Sequence, residues 1–367
     1  MEILNKLTIR GFKSIQNLED FELRQLNIIV GANGAGKSNL ISFFRLLRFF
    51  VEDRLNQYII SNGGVDDFLY NGPKITDKMF FETHFGCRGY RFSLTPTSEG
   101  TCAVENESRY YDFSRYGWWS LGSSPNGSSR MVAEIKNNAT DAQYSRPVYD
   151  TIMSWQLYHF HDTSNTAGMR RYDILENWEK LSADASNIAP FLLKMRKDWP
   201  DSYQRIVDAI RTVLPYFDDF ALTPQTFGEQ IKVRLSWRQK GSDYPMQPYH
   251  LSDGSMRFIC LATALLQPEP PSMIIIDEPE LGLHPEAIAI LAELIEFASK
   301  HTQVVIATQS PLLLNFFSLD DIIVTKRQNG SSFFTRLKKE DFSHWLDDFN
   351  VGELWAKNVL EGGATHE

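Results

Sequence analysis

A short apolar run, Leu26-Asn27-Ile28-Ile29-Val30, leads into Gly31-Ala32-Asn33-Gly34-Ala35-Gly36-Lys37-Ser38. Beyond it, Leu40, Ile41, Phe44 and Leu47 recur at helical spacing. The string fits G-x-x-x-x-G-K-[ST] in the setting its chemistry needs, between a strand and a helix. Glycines let the backbone wrap so that its N–H groups face phosphate oxygens. The helix N-terminus adds positive potential. Lys37 is placed to reach β- and γ-phosphates, and Ser38 to ligate Mg²⁺. The bland alternative, an ordinary glycine-rich turn, explains neither the lysine nor the flanking elements.

Length and composition narrow the class. A chain of 367 residues fits about two or three domains. With 43% hydrophobic and 23% charged residues, it is neither a disordered tail nor a fibre. The cysteines, Cys87, Cys102 and Cys260, form no C-x-x-C pair, which argues against a disulfide framework or zinc ribbon and fits a reducing compartment. The balance of 37 basic and 46 acidic residues, net −9, argues against a general nucleic-acid coat but leaves room for a local basic groove. No apolar run approaches the roughly 18 residues that span a bilayer. The first ten residues lack the apolar core of a signal peptide. The expectation is a cytoplasmic protein with no membrane contact.

Two further strings carry chemistry. Met273–Ile276 reads as a buried strand ending in Asp277-Glu278-Pro279. Carboxylates at the end of an apolar strand are costly without a purpose, and in open α/β sheets ligands sit at the carboxyl ends of strands. Asp277 is the second candidate Mg²⁺ ligand. Glu278 is the candidate for orienting or deprotonating an attacking water; the rival reading is a surface loop. Leu251-Ser252-Asp253-Gly254-Ser255-Met256-Arg257-Phe258 precedes an apolar helix. Ser252 suits an N-cap, and Gly254 permits close backbone approach to a ligand. It is either a plain helix cap or a second phosphate reader.

Elsewhere the pattern predicts strands in 1–30 and a hairpin of Met79–His84 with Gly89–Leu94. Residues 117–130 read as a loop, although Trp118 and Trp119 point to partial burial. Helices are predicted over 171–181, 184–198 (starting later because of Pro190) and 201–214. Strand returns over 219–238, with a turn at 239–243. Helix near 255–266, strand 272–276, helix 285–300, strand 303–308, strands over 321–337 and a helix over 341–360 follow. Phe342, Trp345, Leu346, Leu354, Trp355 and Val359 on that last helix read as core packing, with a partner contact as the alternative.

The strings LTIRGFKSI (7–15), GANGAGKS (31–38), LSDGSMRF (251–258), IIIDEPELGLHP (274–285) and VVIATQSPLLL (304–314) together resemble ABC-type ATPases of the RecF, OLD and structural-maintenance-of-chromosomes group. The nearer likeness is to small prokaryotic AAA/ABC-hybrid ATPases of antiphage defence operons. The resemblance covers roughly 1–50 and 245–325; about 100–245 carries no motif. It implies an α/β P-loop NTPase, ABC-type head, with a β-rich lobe and an inserted helical lobe. The head is divided as 1–100 (phosphate loop and β-rich lobe), an insert over 101–245, and 246–367 (signature, acidic strand end, switch strand). ATP and Mg²⁺ are the implied cofactors, with Asn33, Gly34, Ala35, Gly36, Lys37, Ser38 and Asn39 holding nucleotide. The family's arrangement is a head-to-head homodimer in which ATP on one loop is covered by Ser252 and Gly254 of the other copy. No nuclease signature follows the last motif, so a nuclease effector would be a separate polypeptide; DNA is a possible partner.

Two residues depart from the wider pattern. Asp253 replaces a glycine of the signature. Gln309 stands where many relatives have a switch histidine, and Gln has no titratable proton near neutrality. Slow ATP hydrolysis by Glu278, Lys37 and Gln309 is therefore expected. A nucleotide-gated scaffold with negligible turnover and a RecF-like repair ATPase are the rivals. A small-molecule kinase leaves the Ser252–Gly254 helix start unexplained, and a GTPase lacks its N-K-x-D string. Gln156 is the candidate lid glutamine. His284 either crosses the dimer interface or caps a helix beside Pro285. Arg170-Arg171 and 194–197 are basic spots, read as a solvated face or a nucleic-acid or partner contact. His159 and His161 lack the further ligands of a zinc site.

Overall fold

The computed structural model describes residues 2–112 and 117–360. The chain divides into two compact units, Met1–Trp155 with Ser318–Glu367, and Gln156–Phe317. Among the described residues no helix is long and apolar enough to cross a membrane.

In the first unit every residue of strand Leu26–Val30 is buried. It pairs in parallel with Ile322–Gln328, which turns back antiparallel into Ser331–Arg336. Burial on both faces is why Ile28, Ile29 and Val30 follow one another as apolar residues rather than alternating with polar ones. A second sheet contains six strands in the order Ile15–Glu22, Leu4–Phe12, Met79–Phe85, Arg88–Pro96, Cys102–Tyr111, Trp118–Ser124, each antiparallel to its neighbours. Here one face is covered, and Met79–Phe85 alternates buried with half-buried residues. The helix Lys37–Val51 supplies the cover: Phe43 stacks on Phe81 at 5.5 Å and Phe50 meets Phe92 at 4.4 Å between ring centroids. Its Arg48 closes the end of helix Ala142–Ser154, donating to the Ile152, Met153 and Trp155 carbonyls. That helix end would otherwise leave carbonyls unpaired.

The second unit has a parallel sheet with Met273–Asp277 between Gln303–Thr308 and Gln156–Tyr158. Its helices include Ile188–Asp198, Pro200–Val213, Asp253–Leu265 and Pro285–Ser299. Two small antiparallel sheets complete it: Phe217–Phe220, Trp237–Gln239 and Pro245–Met246 form one, and Gln225–Phe227, Gln230–Val233 and Asp173–Ile174 the other.

Four expectations need correction. Residues 117–130 are not a loop: Trp118–Ser124 is an edge strand, held where the Arg91 guanidinium lies 4.1 Å over the Trp118 ring. No helix runs over 171–181. Asn187 instead serves backbone groups of this stretch with its side chain, donating to the Asn177 and Lys180 carbonyls and accepting from Ser182 N–H. Such side-chain bonds compete with a helical ladder. The strand over 219–238 is broken into short pieces. The helix over 341–360 is broken too: after Ser343–Leu346, Asn350 starts a new helix, Val351–Ala356, with a capping box to Glu353. Of its apolar stripe only Leu354 is buried, and Trp345 is 47% exposed, so the stripe is not core.

Candidate nucleotide site

The phosphate loop belongs wholly to the first unit. Gly36 is the N-cap of its helix at φ 114°, a left-handed conformation open to glycine. A side chain there would also collide with Ser332. Ser332 Oγ donates to the Ala35 carbonyl at 2.6 Å and lies 2.6 Å from Ser14 Oγ. Asn39 donates to Ser14 Oγ at 2.5 Å. The loop is thus braced by two serines, Ser14 in the turn between the first two strands and Ser332 on the strand Ser331–Arg336. Lys37 is buried and its ammonium donates to the Gly31 and Ala32 carbonyls at 2.6 and 3.2 Å. The other side is open: Asn33, Gly34 and Ser38 are exposed, and no side chain caps the helix start. Uncapped N–H groups, a charged amine and an exposed hydroxyl fit the phosphates and divalent cation of a nucleotide.

The acidic strand end belongs to the second unit. Glu278 follows the strand at φ 47°, a conformation uncommon for a side-chain-bearing residue, and its N–H donates to the Ala307 carbonyl at 2.8 Å. Gln309 donates from Nε2 to Glu278 Oε1 at 2.5 Å. The same turn contains a residue that the sequence reading did not single out. One oxygen of Glu280 accepts from Thr308 Oγ1 at 2.6 Å and from Gln309 N–H at 3.3 Å. Its other oxygen is buried and has no hydrogen-bond partner among the described residues. Burial lifts this carboxyl above the usual range. Glu280 therefore holds the segment whose glutamine holds Glu278. Its spacing, three residues after Asp277, was the available signal. Gln156 begins its strand opposite Ile274, at the end away from Asp277. The residue that reaches the acidic end is His161, whose Nε2 lies 3.0 Å from the Asp277 carbonyl.

The signature segment is locked onto the same unit. Ser252 is the N-cap of helix Asp253–Leu265; its Oγ accepts from Ser255 N–H at 3.1 Å and lies 2.8 Å from Ser255 Oγ. Gly254 packs so closely on the Gly282 carbonyl that a Cβ would collide with it. Arg257, buried, donates to the carbonyls of Phe160 at 2.9 Å, His161 at 3.2 Å and Leu281. Asp253 pairs with Arg170 at 2.9 Å. Arg170 is not on a solvated face: its side chain is 4% exposed and also donates to the Thr163, Pro248 and Leu251 carbonyls. Lys194 pairs with Asp198 at 2.7 Å and sits 3.9 Å over the Trp178 ring. His284 caps helix Pro285–Ser299, its Nδ1 accepting from Glu286 N–H at 3.4 Å, which favours the capping reading.

Two solved structures share this architecture. One is an SmcHead bound to the C-winged helix domain of ScpA: 17% identity, TM-score 0.62, covering 93% of this chain and 99% of that one. The other is an Smc head domain with an extended coiled coil, bound to the C-terminal domain of ScpA derived from Pyrococcus furiosus: 18% identity, TM-score 0.54, covering 95% and 99%. Among curated proteins none matches the sequence. The fold is that of an ABC-type ATPase head, a P-loop NTPase of the kind that binds ATP. More particularly, the chain belongs to the family described as "AAA domain, putative AbiEii toxin, Type IV TA system", whose model matches residues 26–315.

Proposed function

We propose that this chain binds ATP with Mg²⁺ and hydrolyses it slowly. We further propose that two copies dimerise head to head around ATP, and that this cycle regulates a separately encoded effector, such as a nuclease, in antiphage defence or another DNA-directed process in the cytoplasm. The observation that carries the nucleotide reading is the braced phosphate loop, with its exposed Ser38 and uncapped helix start. Asn33 to Asn39 hold the phosphates, and Lys37 offsets their charge. Ser38 and Asp277 are the proposed Mg²⁺ ligands. Among the described residues no three His, Cys, Asp or Glu side chains form a metal cage; magnesium at phosphates takes only one or two protein oxygens. When bound, the ion neutralises charge on the phosphate oxygens. Glu278 orients the attacking water and accepts its proton. Ser252 and Gly254 are the residues proposed to cover the partner copy's nucleotide. The docking of ScpA domains on the two Smc heads is a precedent for a separate protein partner on this fold.

The second reading is a nucleotide-gated scaffold with negligible turnover. It is favoured by one bond, Gln309 Nε2 to Glu278 Oε1, which holds the carboxylate with a group that has no proton to relay. Phosphate release from Mg-ATP by wild type and Gln309→His decides. Measurable wild-type turnover, lost in Lys37→Ala, supports the slow ATPase. No release by wild type, with ATP still bound and turnover appearing in Gln309→His, establishes the scaffold.

A further inference from the structure

Within the second unit lies a cleft of about 630 Å³ lined by Asn165, Arg170, Arg171, Tyr172, Arg234 and Tyr249. None of the six is acidic, in a chain whose net charge is −9. Arg170 is committed to Asp253 and the carbonyls described above. Arg171 is exposed, and Arg234 has a buried Nε with no hydrogen-bond partner among the described residues, while its Nη2 donates to Gln247.

The cleft continues onto a sheet face. In the ribbon of Asp173–Ile174, Gln230–Val233 and Gln225–Phe227, Ile174 pairs with Lys232, Lys232 with Gln225, and Gln230 with Phe227. Paired residues share a face and alternate residues return to it. Tyr172, Ile174, Gln225, Phe227, Lys232 and Arg234 therefore line one side. Val233, on the other side, is fully buried. The Arg234 guanidinium lies 4.5 Å over the Tyr172 ring, Tyr172 meets Phe227 edge-on at 5.0 Å, and its hydroxyl donates to Gln225 at 3.0 Å. Phe227 and Ile174 are 45% and 37% exposed, and Tyr249 across the cleft is 57% exposed. Aromatic planes set among guanidinium and ammonium groups match a strand whose bases stack and whose phosphates carry charge.

We infer that this ribbon face and its cleft bind single-stranded nucleic acid. Arg171, Arg234 and Lys232 take the phosphates, and Phe227 and Tyr249 stack bases. A mononucleotide offers the same phosphate chemistry but leaves the ribbon beyond the cleft unused. A protein partner does not need guanidinium groups interleaved with aromatic planes.

The test is fluorescence anisotropy of labelled oligo-dT and oligo-U with the full chain, without ATP, across a salt series. Wild type is expected to bind either strand, with affinity falling steeply as salt rises. Arg171→Ala with Arg234→Ala is expected to weaken binding about 10-fold or more and to flatten the log–log salt slope by about 1.4. Phe227→Ala, at an exposed position that tolerates truncation, is expected to lose about 5-fold or more with the slope unchanged. Lys180→Ala with Lys197→Ala removes two exposed charges elsewhere on this unit and leaves affinity within about twofold. Absence of wild-type binding overturns the inference, as does equal weakening by both charge pairs. Stoichiometric displacement of the strand by UMP, or an unchanged Phe227→Ala, also overturns it, in favour of a mononucleotide pocket or a protein surface. Because Arg171, Arg234 and Phe227 lie outside the phosphate loop, the losses expected of these variants stand apart from nucleotide binding there.

Discussion

The phosphate loop and the acidic strand end are built in opposite ways. The loop is mostly backbone. Glycine conformation and two bracing serines shape it, and its exposed residues make few protein contacts. The acidic end and the adjoining signature are held by side chains, with Glu280 on Thr308 and Gln309, Arg257 on three carbonyls, and Arg170 on three more and on Asp253. A backbone cradle can meet a polyanion without rearranging. A lattice of buried cations on carbonyls fixes where a few carboxylate and hydroxyl atoms stand.

The largest contrast is in chemistry. Glu278→Gln is expected to cut ATP turnover by about 10²–10⁴-fold, the usual cost of losing a general base, while nucleotide binding survives. Lys37→Ala is expected to lose about 10²–10³-fold in kcat/KM and to lose binding as well. Parallel turnover and fluorescent-nucleotide titrations separate the two; equal loss of binding in both would erase the division of labour.

The next contrast is in stability. Asp253 is 71% exposed, so its ion pair with Arg170 contributes little by itself. Removing the guanidinium, however, leaves the Thr163, Pro248 and Leu251 carbonyls without that donor. Arg170→Ala is therefore expected to cost about 3 kcal/mol, seen as a lower urea midpoint. Ser38→Ala, at an exposed hydroxyl, is expected to stay within about 0.5 kcal/mol. A large effect of Ser38→Ala, or none of Arg170→Ala, would reverse the assignment of which region is held by side chains.

This contrast also accounts for what the sequence reveals. Strand, loop and helix around Gly31–Ser38 are legible because glycine freedom, an apolar run and helical spacing are local properties. Glu278 is legible because a carboxylate ending an apolar strand is locally anomalous. Arg170 and Arg257 are not, because their partners lie 78 and 97 residues away for Pro248 and Phe160. In the sequence Arg170 reads as a surface charge; only the fold buries it. Residues 171–181 mislead in the same way, since the side chain replacing their helical ladder is Asn187. The break at Asn350 was legible, as N-x-x-E with Glu353 signals a fresh helix start, but the aromatic spacing across it imitates one continuous helix.

The smallest contrast is in pH. Each unit buries one carboxyl whose pKa is raised by desolvation, Glu107 in the first and Glu280 in the second. A raised pKa means that the folded state holds the proton more tightly than the unfolded chain. The stability it contributes is present below the ordinary carboxyl range and is lost as pH rises through the raised value. Wild-type urea midpoints are expected to fall over that window. Glu107→Gln and Glu280→Gln are each expected to flatten the profile. A profile that rises with pH across the window would contradict the sign.

The central claim, that ATP joins two copies of this head, is met most directly by the solution mass of Glu278→Gln from sedimentation velocity, with and without Mg-ATP. The account predicts a single subunit without nucleotide and twice that mass with it, reverting when Ser252→Arg is added. A protein that binds ATP and still sediments as one subunit at every concentration would contradict it.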